Sequence, residues 1–123
     1  MAAKMTPELN RNQREAIIRY LSVLNEKYKG QILEVILYGS VARGGSAVES
    51  DIDLLIVTAN GGQELRDEIS MACFDIILQT EVILSPLVMD AKTYEWHKKY
   101  RDPLYNSIQR DGIDLWIKKP EFL

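Results

Sequence analysis

Apolar positions along the chain fall into two periods. Over residues 9–28 they recur at spacings of three and four (Leu9, Ala16, Ile17, Tyr20, Leu21, Leu24, Tyr28), the stripe of an amphipathic helix. Thr6, followed by Pro7 and Glu8, predicts its start, and Gly30 its end. Such a stripe most simply packs against the domain's own sheet. Residues 32–38 are nearly all apolar, which predicts a strand buried on both faces, with Glu34 at its solvent end. Gly39 and Ser40 turn the chain into a short helical turn through Val41, Ala42 and Arg43, and Gly44-Gly45-Ser46 reverses it. A second apolar strand follows at 52–58, then the loop signal Asn60-Gly61-Gly62. Residues 63–79 predict a second helix, with Leu65, Ile69, Ala72, Cys73, Ile76 and Ile77 on one face. Residues 82–89 predict a third strand. Pro86 restricts it to a sheet edge, to an outward-facing position or to a bulge. Asp90 caps a short helix carrying Tyr94, Trp96 and His97. Asp102-Pro103 starts another helix, which stops at Gly112. Alternation over 113–117 predicts a short last strand, and 118–123 a tail. This order gives an α/β (α+β) fold: a small mixed β-sheet with helices packed mainly on one side.

Composition narrows the function classes. At 123 residues the expectation is one domain spanning 1–123. Fifteen basic against eighteen acidic residues leave a net charge of −3, which argues against direct nucleic-acid binding as the main device. The single Cys73 permits no internal disulfide and reads as a core thiol, which fits a reducing cytoplasm. No apolar run approaches a membrane span, and the first residues lack the apolar core of a signal peptide, so the expected location is cytoplasmic.

The chemistry concentrates between Leu37 and Val57. Open N–H groups at the helical turn after Gly39 attract anions, phosphates above all. Asp51 and Asp53 stand two apart at the start of a strand, so they point the same way, with α-carbons roughly 6.6 Å apart. Two such carboxylates suit magnesium, which keeps most of its waters and is completed by substrate phosphates. A pair of such ions clamps the attacking and leaving oxygens of an in-line displacement at phosphorus.

Gly39-Ser40-x-Ala42-Arg43-Gly44 followed by Ser50-Asp51-Ile52-Asp53-Leu54 resembles the signature of the DNA polymerase beta-like nucleotidyltransferase superfamily. The short length resembles its minimal nucleotidyltransferase branch, whose members often act as antitoxins beside HEPN-type toxins. The resemblance implies transfer of a nucleoside monophosphate, AMP from ATP or another NTP, to a hydroxyl of a HEPN-type partner. It implies Asp51 and Asp53 as catalytic metal ligands for two Mg2+ ions, and Gly39, Ser40 and Arg43 as nucleotide-binding residues. The family usually carries a third carboxylate on a later strand. Here residues 82–89 hold no acid, and Ser85 stands mid-strand where one would be sought. Glu81, Asp90, Asp75 and Asp114 are the other candidates. The missing acid keeps open a binding module that neutralises a partner by complex formation. The sequence also leaves open homo-oligomerisation, and whether Tyr94, Trp96, Tyr100 and Tyr105 form an interface or a lid over the sheet.

Overall fold

A computed structural model describes residues 9–42 and 51–116. The elements are α1 (Arg11–Tyr28), a single 3-10 turn (Lys29–Gln31), β1 (Ile32–Tyr38), α2 (Gly39–Ala42), β2 (Ile52–Thr58), α3 (Gln63–Met71), α4 (Phe74–Thr80), β3 (Leu84–Asp90), α5 (Ala91–Tyr100), α6 (Pro103–Asp111) and β4 (Ile113–Asp114). The strands form one sheet in the order β3-β2-β1-β4. β1 is antiparallel to β2 and β4, while β2 and β3 are parallel, so the sheet is mixed as expected.

α1 starts later than Thr6, which lies outside the described residues. Asn10 is extended (φ −75°, ψ 173°), and its side chain accepts the Gln13 N–H at 2.8 Å while Gln13 Oε1 accepts the Asn10 N–H at 3.0 Å. This reciprocal cap satisfies two N–H groups that the first turn leaves open, and it fixes the start at Arg11. The predicted stripe does face the sheet: Ala16, Ile17, Tyr20 and Leu24 are buried, and the Tyr20 hydroxyl donates to the Ile69 carbonyl at 2.7 Å.

Alternation along the strands divides the sheet into two faces. Val35, Leu37, Ile52, Leu54, Ile56 and Leu84 join α1, α3 and α4 in the larger core. Ile36, Leu55, Val57 and Met89 join Tyr94 of α5 and Ile108 of α6 in a smaller one. Most helical packing is thus on one side, and the second face carries its own cover.

Four local expectations are corrected. β1 is not buried throughout: the register with β2 slips between Ile32 and Glu34, and Leu33 is pushed out to solvent. The helix expected over 63–79 is two helices. Neither Gly nor Pro marks the break at Ala72–Cys73, where the Cys73 thiol is buried and points toward the Leu84 carbonyl at 3.9 Å. The third strand begins at Leu84 and runs through Asp90. The last strand is only Ile113–Asp114, because the chain then turns the Trp116 indole N–H onto the Ile32 carbonyl.

Pro86 sits on the edge strand as required. Ile52 N–H donates to the Ile83 carbonyl at 2.9 Å, a phase that aims the odd-numbered peptide groups of β3 at β2 and the even-numbered ones outward. The N–H that Pro86 lacks would therefore have faced solvent. Asp90 and Asp102 cap α5 and α6 as predicted, accepting the Thr93 and Tyr105 N–H groups at 2.8 and 3.0 Å. The second oxygen of Asp102 pairs with His97 Nδ1, tying the two helices together. In the aromatic stretch Tyr94 and Tyr105 pack over the smaller core, as the lid reading expects, while Trp96 and Tyr100 stay exposed.

Candidate active site

β1 and β2 pair so that Tyr38 lies opposite Asp53, and β2 and β3 pair so that Asp53 lies opposite Ser85. Ile52 and Leu54 are locked in the larger core, so alternation turns Asp53 to the other face, and Asp51, just before β2, is near enough for its charge to act on Asp53. Tyr38, Asp53 and Ser85 thus form one row across three strands, on the side covered by α5 and α6. Asp51 is exposed and immediately precedes β2.

The row is closed by Gly39. Its backbone is left-handed (φ +80°), and a Cβ built there would come within 2.5 Å of Asp53 Oδ2. Only glycine allows the turn to lie against that carboxylate. Val41 and Ala42 are buried and anchor the turn that follows. Ser40 lies in the backbone of α2 directly after Gly39. Arg43, Gly44 and Ser50 lie outside the described residues.

Asp53 is half-buried. Burial, and after it the negative charge of Asp51, holds its carboxyl above the usual carboxylate range. Burial, and after it Asp53, also pushes the Tyr38 phenol up, so Tyr38 stays protonated near neutral pH. Two carboxylates that repel each other, with only oxygen donors to offer, fit a hard divalent cation. No group of three or more His, Cys, Asp or Glu able to hold a metal occurs among the described residues, so this donor set needs water and phosphate oxygens to complete it.

None of the four other acids stands in the row itself. Asp90 lies at the far end of β3, opposite Thr58. Glu81 is the left-handed cap that ends α4. Asp75 lines a groove of about 640 Å³ between α1 and α4, which belongs to the other face. Asp114 shares the site's face but lies on β4, opposite Ile36 and beyond β1. The position beside Asp53 is taken by Ser85. Reading the sequence alone missed Tyr38 as a site residue; the signal lay in its place at the strand end, directly before Gly39.

Comparison with known proteins identifies the family. The model of the nucleotidyltransferase domain family matches residues 17–115. The chain belongs to that family. A relative from Methanocaldococcus jannaschii, MJ0604, whose name assigns it to the protein adenylyltransferases, is 32% identical over 105 residues, covering 85% of this chain and 99% of its own. A minimal nucleotidyltransferase structure superposes with a TM-score of 0.55 at 23% identity, covering 83% of this chain and 94% of that one. A toxin–antitoxin structure of MntA superposes at 0.52 and 18% identity, covering 94% and 76%. Another, a toxin–antitoxin with AMP-PNP, superposes at 0.51 and 17%, covering 92% and 77%. This nucleotidyltransferase has no helix among its described residues long and apolar enough to cross a membrane.

Proposed function

We propose that this nucleotidyltransferase moves AMP from ATP to a hydroxyl on a partner protein of the HEPN toxin class, and so acts as its antitoxin in the cytoplasm. The observation that carries the reading is Asp53 with Asp51 beside it at the start of β2, and the Gly39 turn laid against Asp53. The protein adenylyltransferase relative, 32% identical, supports AMP as the group moved. The toxin–antitoxin assemblies named for proteins of the same fold support the partner.

In this reading Asp51 and Asp53 hold Mg2+, which neutralises charge on the phosphates when bound. The backbone of Gly39 and Ser40, together with Arg43, holds the triphosphate. The acceptor oxygen forms a bond to the α-phosphorus, the bond to pyrophosphate breaks, and the acceptor proton leaves to water. The protein's own work is positioning and electrostatics, as is usual for phosphoryl chemistry. Gly39 admits the close approach, and the protonated Tyr38 adds no further negative charge to the Asp51–Asp53 pair.

The test is incubation with α-labelled ATP, magnesium and the candidate partner, read by mass spectrometry for added AMP. Label that persists undiminished in an Asp51→Asn/Asp53→Asn double variant removes both residues from catalysis. Ser85 in the place beside Asp53 favours one second reading, neutralisation by complex formation alone. Partner neutralisation that survives the same double variant would select it.

A further inference from the structure

The edge strand beside the reactive row carries an unusual column. On the face where Asp53 lies, β3 and the residue before it present Ile83, Ser85, Leu87 and Met89 in alternation. Met89 is buried in the smaller core, whereas Ile83 and Leu87 are 47% and 40% exposed. The even-numbered neighbours Leu84 and Val88 pack against the larger core, so they fix the direction of the odd ones. Two open apolar side chains therefore flank Ser85, each roughly 6.6 Å from it along the strand, and Ser85 is the register neighbour of Asp53.

We infer that Ile83 and Leu87 are the ridge on which the acceptor polypeptide docks, and that it selects a hydroxyl residue with an apolar residue two positions to either side. The inference rests on the nucleotidyl-transfer reading above and names the acceptor sequence that site accepts. An extended segment presents side chains i−2, i and i+2 on one face, at the same repeat as Ile83, Ser85 and Leu87. With its outer two side chains seated on the ridge, its central hydroxyl is held over Ser85, next to Asp53. The small Ser85 leaves room for a tyrosine, serine or threonine there. The outward N–H groups of β3 are interrupted at Pro86, so the segment is held by side chains and not as a fifth strand. Transfer then proceeds as already written: a new bond from the acceptor oxygen to the α-phosphorus, loss of pyrophosphate, and the proton to water.

The probes are nine-residue peptides with a central tyrosine, carrying either leucine or serine at both the −2 and +2 positions, supplied with α-labelled ATP and magnesium. The wild type should label the leucine peptide with a kcat/KM roughly tenfold higher, the scale of discrimination that small apolar contacts support. An Ile83→Ser/Leu87→Ser variant should lose that preference while keeping its KM for ATP and its thermal midpoint. A single Leu87→Asp variant, checked by circular dichroism, should do the same if the double variant is poorly folded. Equal labelling of both peptides by the wild type overturns the ridge but leaves nucleotidyl transfer standing. So does a wild-type dimer in size-exclusion chromatography that Leu87→Asp dissociates, since the ridge is then a contact between copies. Labelling of neither peptide while the folded partner is labelled overturns the ridge, and labelling of no acceptor, partner included, overturns the transfer reading as well.

Discussion

The two faces of the sheet are built from the same strands and do different work. On β2, Ile52, Leu54 and Ile56 look into the larger core, and none is more than marginally exposed. Asp53, between the first two, looks the other way and is half-buried beside Asp51, which works against its ionisation. One face is apolar and closed by α1, α3 and α4, with Val41 and Ala42 of the α2 turn. The other begins as a small core under α5 and α6 and ends in a carboxylate pair that is uncomfortable without a cation. Because side chains alternate with a period of two, a single strand delivers both a rigid floor and a reactive row. The stability of one face is what lets the other hold two like charges in place.

The contrast is broken most severely by removing the charges. An Asp51→Asn/Asp53→Asn variant should lose about a thousandfold in AMP transfer while its circular dichroism is unchanged. Loss of the folded signal would mean that the acids build the sheet instead. Ile56→Ala, on the closed face, should lower folding stability by about 3 kcal/mol in urea titration while activity per folded molecule stays within a few-fold of wild type. Gly39→Ala should cost both stability, by about 2 kcal/mol, and activity, because its left-handed backbone and its Cβ contact with Asp53 both resist the change. Gly30→Ala is the matched control: no atom lies within 4 Å of its added Cβ, and it should be nearly silent. The smallest effect has the opposite sign. The folded carboxyl of Asp53 sits above its ordinary value, so its charged form penalises the folded state at neutral pH, and the penalty fades as pH falls through the carboxylate range. In chelator, Asp53→Asn should therefore raise the thermal midpoint slightly at pH 7, reflecting a stability gain of well under about 1 kcal/mol given partial solvent screening. That gain should shrink toward acid. A gain that grows on acidification would contradict the assigned cause.

Much of this contrast is legible in the sequence. The bounds of β1 and β2 follow from apolar runs stopped by Gly39 and by a change to polar residues, and the caps at Asp90 and Asp102 are chemical signals with one meaning. Asp51 and Asp53 share a face for any strand that contains them. Features that depend on partners are not legible. Leu33 reads as core but is expelled by a bulge, which only the pairing with β2 creates. The break at Ala72–Cys73 carries no glycine or proline, so no local residue signals it. Tyr38 and Ser85 become neighbours of Asp53 only through register, antiparallel on one side and parallel on the other. The start of α1 at Arg11 is set by the reciprocal Asn10–Gln13 cap, which the sequence reading passed over.

The indole of Trp116 on the Ile32 carbonyl has a consequence for assembly of the chain. It fastens the last described residue to the first residue of the first strand, 84 positions apart. The β1–β2 hairpin and its parallel neighbour can form before that fastening, but the fourth strand is too short to hold by itself. A nascent chain would thus carry an unfinished sheet margin until synthesis has passed Trp116, and truncation just before it should leave a protein that collapses but does not lock.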